Sequence, residues 1–242
     1  MKIIVTTNHE ELSQRAADLV VDAVRAKPNL TLCLATGSTP TRTYELLAAP
    51  KNVKSDQFAQ VSIIKLDEWG GLAMDDPATC EVYLQQHICQ PLGINSERYL
   101  AFQSDSPTPE EECLRIQKAL EKVDPIDLCI LGLGANGHLG FNEPAEWLNP
   151  FPHVATLTQS TLQHPMTQQT DVAIPYGLTL GMANILQARQ ILLLVNGRHK
   201  RMLLEKLLAS RITTGFPASF LWLHPNVTVI CDQEANPGGH VR

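Results

Sequence analysis

The sequence predicts an α/β fold, a doubly wound and mostly parallel sheet flanked by helices. Three observations predict it. Six short apolar, β-branched runs recur along the chain, and amphipathic stretches with helical spacing separate most of them. The runs are continuously apolar rather than alternating, as expected of strands covered on both faces. With 242 residues, no internal repeat and no Pro/Ser-rich linker, the chain reads as a single domain over 1–242.

The first run, 2–6 (KIIVT), leads into the clearest helix, 9–26. Asn8 stands where it caps that helix and Glu11 occupies the capping-box position. Leu12, Ala16, Leu19, Val20, Ala23 and Val24 form one apolar stripe. The second run, 30–35 (LTLCLA), precedes a helix over 41–48, with Thr39 as N-cap and Pro40 suited to the first helical position. The third, 61–66 (VSIIKL), precedes a helix over 78–89. A helix over 109–122 leads to the fourth run, 127–133 (DLCILGL). The polar, proline-bearing stretch 144–172 reads as a long loop of the kind that forms a lid or site wall. A helix over 177–187 follows, then the run 190–195 (QILLLV), helices over 198–209 and 217–223, and the last run, 227–231 (VTVIC).

Composition narrows the function. Hydrophobic residues at 44% and charged residues at 18% suit a packed core and exclude a disordered chain. A net charge of −6 argues against a nucleic-acid partner, so any anionic ligand must be held by a local device. The six cysteines show neither C-x-x-C nor zinc-ligand spacing, and read as reduced thiols of a cytoplasmic protein. Cys33, Cys129 and Cys231 lie inside apolar runs, as core filler. The first residues lack the pattern of a signal peptide. The longest aliphatic run, Ile191 to Val195, is too short to span a bilayer, so no membrane association is expected.

Ligands of an open α/β sheet bind beyond the carboxyl ends of its strands. Four glycine-bearing polar clusters are expected there: Thr36-Gly37-Ser38-Thr39, then Asp67-Glu68-Trp69 with two glycines, then 132–144, then Asn196-Gly197-Arg198-His199-Lys200. The first cluster fits an anion cradle at a helix start and equally an ordinary capped turn. It lacks the lysine of a P-loop. The third contains G-x-G-x-x-G at Gly132, Gly134 and Gly137, but Pro144 follows soon after and 153–163 holds no acidic residue. A dinucleotide fingerprint is therefore not indicated, and the glycines suit a tight loop presenting His138. Glu143 lies five residues on, where a carboxylate fixes the tautomer of His138 and raises its basicity. Asp67 is a second, separate base. Two bases at different places suit a reaction that moves two different protons. Nothing gives Asp67, His138 and Glu143 diagnostic metal spacing. Lys200 falls in the first turn of a helix, where the dipole disfavours a cation, which hints at an anionic ligand.

ATGSTP, IIKLDEW, LGLGANGHLGFNEP and PASFLWLHP, in this order and spacing, resemble the glucosamine-6-phosphate isomerase/deaminase family over nearly the whole chain. TCEVYLQQHICQPLG, LDEWGGL and FPASFLWLH look closest to its galactosamine-6-phosphate branch. The resemblance implies a Rossmann-like domain and a cofactor-free, cytoplasmic conversion of an amino-sugar phosphate to a ketose phosphate and ammonium. It implies Asp67 as the base moving a proton between C2 and C1, His138 as the ring-opening residue and Glu143 as its partner. Thr36, Gly37, Ser38 and Thr39 become the phosphate loop and Lys200 the phosphate lysine.

Two departures from the family pattern follow. Asn136 stands where some members carry Asp, which leaves polarisation of His138 to Glu143. The stretch 161–166 lacks the phosphate-binding Arg of many glucosamine-type members, which makes His164 a candidate substrate contact and supports another sugar epimer. The chain also ends soon after Cys231, without the longer C-terminal region of allosteric hexameric relatives. A monomer or small homo-oligomer is expected. The alternatives are a 6-phosphogluconolactonase-like lactone hydrolase, which tends to carry a different run after the His, and a non-catalytic sugar-phosphate sensor, which has no need of Asp67 and His138. No DNA-binding segment precedes the domain.

Overall fold

A computed structural model describes residues 1–49, 56–123 and 125–238. Ten strands run in chain order: β1 (Lys2–Thr6), β2 (Thr31–Leu34), β3 (Ser62–Lys65), β4 (Asp67–Gly70), β5 (Tyr99–Leu100), β6 (Leu128–Gly132), β7 (His153–Ala155), β8 (Tyr176–Thr179), β9 (Gln190–Val195) and β10 (Val227–Asp232). The α-helices are α1 (His9–Ala26), α2 (Ser38–Ala48), α3 (Cys80–Leu84), α4 (Pro109–Leu120), α5 (Gln159–Leu162), α6 (Met182–Leu186) and α7 (Arg201–Leu208). Seven strands form one sheet in the order β1-β10-β9-β6-β2-β3-β5, parallel throughout. All six expected strands belong to it. A second, antiparallel sheet has the order β4-β8-β7.

Successive residues of the central strands point to opposite faces, and each face is covered. Cys33, Ile64, Cys129, Leu131 and Leu193 enter one apolar core, while Leu32, Leu34, Ile63, Leu128 and Leu192 enter the other with α1 and α2. This two-sided burial is why the runs show no alternation. The stripe of α1 buries Leu12, Ala16, Val20 and Val24. Asn8 caps it, accepting the Glu11 amide at 2.9 Å. The Glu11 carboxylate does not close a capping box on Asn8; it takes the Thr7 amide at 2.7 Å and the Thr7 hydroxyl at 2.6 Å.

Several elements differ from expectation, and each difference shapes the rim. The run 61–66 does not end in a loop. Leu66 is a pivot: its amide donates to Leu34 in the parallel sheet, and its carbonyl accepts Leu180 of the strand segment beyond β8. The chain thereby passes from one sheet into the other, and Asp67 opens β4. The stretch 177–187 is not one helix. Leu178, Leu180, Met182 and Ile185 are buried at spacings compatible with either period, and β8 takes the first part while α6 takes the second. At Gly177 a Cβ would lie 2.5 Å from the Phe141 ring, so this glycine admits the aromatic that walls the cleft. The expected helix 78–89 is α3 followed by a wide π turn over Gln85–Cys89. The expected helix 217–223 is a 3-10 segment opened by Pro217. The stretch 144–172 is structured, carrying β7, α5 and a 3-10 turn over Pro165–Gln169.

Among the described residues no helix is long and apolar enough to cross a membrane.

Candidate active site

The carboxyl ends of β2, β6 and β9 and the start of β4 border one cleft of about 470 Å³. Thr36, Gly37, Ser38, Thr39, Asp67, His138, His164 and Lys200 all line it. Asn136 and Glu143 stand behind His138.

At one end, Gly37 has φ +111°, and α2 begins at once with Ser38. The N-cap is therefore Gly37 and not Thr39, because the left-handed backbone turns the chain two residues earlier than a capping side chain would. The Ser38 and Thr39 amides fall in the first turn, where no intrahelical acceptor exists. The Thr39 hydroxyl donates to Asn196 Oδ1 at 2.6 Å, tying the first cluster to the fourth. Lys200 ends a short 3-10 turn before α7. Burial lowers its pKa, and it has no carboxylate partner among the described residues. A half-buried, uncompensated ammonium beside free amides is a site for an anion. Arg201, the next residue, donates to the Pro237 carbonyl at 3.0 Å.

In the middle, the His138 loop is shaped by close approach. A Cβ on Gly134 would fall 2.1 Å from the His138 ring. Gly140 has φ +58°, and a Cβ there would lie 2.7 Å from Thr179 Oγ1 and 3.6 Å from Asp67 Oδ2. These glycines thus let the imidazole fold over its own loop and the loop approach Asp67. His138 Nδ1 lies 3.4 Å from Glu143 Oε2. Burial raises the Glu143 pKa, but His138, Thr161 and Asn136 outweigh it and bring it down to about 2. Asn136 donates to Glu143 Oε2 at 2.6 Å, and its Oδ1 accepts the His138 amide at 3.2 Å. Asn136 therefore supports His138 through Glu143. The Thr161 hydroxyl donates to Glu143 Oε1, and Thr158 adds a contact at 3.3 Å. With Nδ1 held by the carboxylate, Nε2 is the nitrogen left for a ligand.

Asp67 faces the cleft from the start of β4 and is 7% exposed. Burial raises its pKa, Glu68 raises it further, and Lys65 and the Cys80 thiol pull it back, leaving it at about 7. Glu68, expected at the rim with Asp67, points the other way, as the next residue of a strand must. It is fully buried against Lys65 at 2.6 Å. Trp69 returns to the cleft and packs at a tilt against Phe141, with ring centroids 4.5 Å apart.

His164 lies between Trp69 and the turn at Gly37. Its Nδ1 accepts the Met166 amide at 3.3 Å, so the neutral ring carries its proton on Nε2. That atom lies 3.3 Å from where a Gly37 Cβ would be. Burial, then His138 and Lys200, lower the His164 pKa.

Sequence reasoning missed Thr158 and Thr161, which sit in the segment read as loop; His199, in the fourth expected cluster, is a second wall residue beside Lys200. Sequence reasoning also missed Lys65 and Cys80. A lysine inside an apolar strand run was the available signal for the first. Among the described residues no group of three or more His, Cys, Asp or Glu is arranged to hold a metal ion.

Residues 7–230 match the family described as glucosamine-6-phosphate isomerases/6-phosphogluconolactonase. The chain belongs to this family. Within the glucosamine-6-phosphate isomerase/6-phosphogluconolactonase family it is 43% identical to AgaI of Escherichia coli (strain K12), a protein whose deaminase assignment is provisional, over 90% of this chain and 87% of that one. It is 39% identical to a glucosamine-6-phosphate deaminase of Geobacillus sp. (strain WCH70), over 97% and 94% of the two chains. A monomeric glucosamine-6-phosphate deaminase of known structure superposes with a TM-score of 0.91 at 36% identity, covering 97% of this chain and 98% of that one. The 6-phosphogluconolactonase of Trypanosoma brucei, at 21% identity and a TM-score of 0.75 over 97% of each chain, shares the fold.

Proposed function

We propose that this enzyme converts an amino-sugar 6-phosphate, with galactosamine 6-phosphate favoured over glucosamine 6-phosphate, to the ketose 6-phosphate and ammonium without a cofactor. One observation carries the reading: two separate bases, Asp67 and His138, face a single hexose-sized cleft closed at one end by free helix amides and an unpaired lysine.

The chemistry follows from that arrangement. Thr36, Gly37, Ser38, Thr39 and Lys200 hold the phosphate, with the His164 Nε2–H as a further donor. His138, fixed through Nδ1 by Glu143, takes the proton of the C1 hydroxyl and returns one to the ring oxygen, opening the pyranose. Only then is the C2 hydrogen acidic, because it lies α to a carbonyl. Asp67 removes it while the C2 ammonium gives up a proton to O1, leaving an enolamine, and Asp67 then returns its proton to C1. The resulting C2 imine takes up one water and releases ammonium, leaving the ketone at C2. Asp67 must be ionised to begin and protonated midway, which a pKa of about 7 allows. The galacto preference rests on the sequence resemblance and on His164 occupying a segment without arginine.

The test is ammonium release from galactosamine 6-phosphate and glucosamine 6-phosphate, beside hydrolysis of 6-phosphogluconolactone. Turnover of galactosamine 6-phosphate with the higher kcat/KM is expected. Lactone hydrolysis without ammonium release from either amino sugar would replace the reading by the hydrolase, and no turnover of any by a binding protein.

A further inference from the structure

Asp67 is held by a frame that the reaction above does not explain. Cys80, the first residue of α3, is fully buried. Its Sγ lies 3.2 Å from Thr36 Oγ1 and donates to Asp67 Oδ1 at 3.9 Å. A thiol has one proton, so with S–H turned to the carboxylate, the Thr36 hydroxyl donates to sulfur. Burial holds the thiol in its protonated form. The main chain of Cys80 is fixed independently, its amide donating to Glu68 Oε1 at 2.8 Å. The same oxygen takes the Trp69 amide at 2.8 Å, and Oε2 takes the Glu81 amide at 2.9 Å and the Lys65 ammonium at 2.6 Å. Lys65 is shared with Glu81 at 2.8 Å. One buried carboxylate thus bolts the start of β4 to the start of α3, at the spacing that brings sulfur to Asp67.

We propose that Cys80 is a positioning residue for Asp67, its thiol holding carboxylate oxygen Oδ1 while the Thr36 hydroxyl, at the edge of the phosphate loop, orients the thiol. The proposal rests on Asp67 being the base. The groups around Asp67 make the contribution of the thiol separable. Its own segment supplies Lys65 and Glu68, α3 supplies Cys80 and Glu81, β2 supplies Cys33, α2 supplies Tyr44, and the loop after β6 supplies His138. Of these, Lys65 and the Cys80 thiol favour the ionised carboxylate. Lys65 acts from the far side of the strand, bonded to Glu68 and Glu81, so the thiol is the one that touches and aims the oxygen.

The experiment reads the carboxyl titration of Asp67 by NMR on protein labelled with ¹³C at aspartate carboxyl carbons, with Asp67→Asn identifying the signal. Wild type, Cys80→Ala, Cys80→Ser and Thr36→Val are compared, and pH profiles of kcat and KM are recorded on the same proteins. In Cys80→Ala the midpoint is expected to rise by about half a pH unit, so that the ionised fraction near pH 6 falls about threefold. The acid limb of kcat follows it while KM stays unchanged, and Cys80→Ser moves the midpoint back towards wild type. Thr36→Val moves it in the same direction as alanine, and reads the contact from the cleft wall if Cys80→Ala fails to fold. An unmoved midpoint in folded Cys80→Ala, or in Thr36→Val where the former does not fold, overturns the proposal. A shifted midpoint in a protein that turns over no amino-sugar phosphate sinks the proposed reaction instead, since the titration needs no substrate.

Discussion

Asp67 lines the cleft with only 7% of its surface exposed, and burial pushes its pKa up to about 7. The same burial that brings its pKa near neutrality weakens the fold. Its folded-state pKa lies above the ordinary value of 3.8, so the folded state binds the proton more tightly than the unfolded chain does. That advantage is complete below pH 3.8 and disappears as pH rises to about 7, a loss on the order of 4 kcal/mol. Asp67→Asn is therefore expected to abolish exchange of the C2 proton with solvent while raising stability above pH 7, with the gain shrinking towards pH 4; urea unfolding at several pH values measures it. Glu143 has the opposite sign. Its pKa of about 2 lies below 4.5, so its stabilisation is present above that value and fades as pH falls from 4.5 towards 2. Glu143→Gln keeps the hydroxyl contacts but presents an amide to His138 Nδ1. We expect kcat to fall about 100-fold or more with little change in KM. A fall confined to KM would mean that Glu143 serves binding.

At the scale of elements, the junction between β3 and β4 makes the site. Leu66 hands the chain from the parallel to the antiparallel sheet, so Asp67 sits where the two sheets diverge and a cleft opens. Beside that junction lies Lys65, fully buried with its ammonium between Glu68 and Glu81. Burial lowers the lysine's pKa, and the two carboxylates more than restore it. Lys65→Met would leave two carboxylates facing each other without a counter-ion. A loss of about 3–5 kcal/mol is expected, read as a lowered urea midpoint. Lys65→Met with Glu68→Gln and Glu81→Gln together should recover part of it, because no unpaired charge then remains. The legibility of elements divides at the same place. Six of the seven parallel strands were readable because two covered faces demand unbroken apolar runs. The strands β4, β7 and β8 were not, because three- and four-residue strands of mixed composition have no period to detect. Thr161 was invisible for the same reason: it reaches Glu143 from a segment whose order comes from contacts made elsewhere in the fold.

For the whole molecule, a net charge of −6 opposes the approach of an anionic sugar phosphate, and the site answers locally. Lys200 and the start of α2 come from chain positions some 160 residues apart and meet only because β2 and β9 both flank β6 in the sheet. Inorganic phosphate should bind there in the absence of sugar. At tenfold its Kd it is expected to stabilise the protein by about 1.4 kcal/mol, a rise in Tm of roughly 3–6 °C. In Lys200→Met that rise should largely vanish while the basal Tm is little altered. An undiminished rise in the variant would put the phosphate site elsewhere.

The amino-acid sequence by itself determined the α/β class, six of the seven parallel strands, the carboxyl-end rim and most of the groups that line it. These are local matters: apolar runs, glycines that permit close turns, and motifs whose residues are neighbours in the chain. Tertiary structure decided which way each side chain faces and how it ionises. Asp67 turned to the cleft and Glu68 away from it, Asn136 became a support for Glu143, and Cys80 arrived beside Asp67 from another element. Desolvation and charge proximity depend on what surrounds a group in space, and those surroundings come from segments that the chain brings together only on folding.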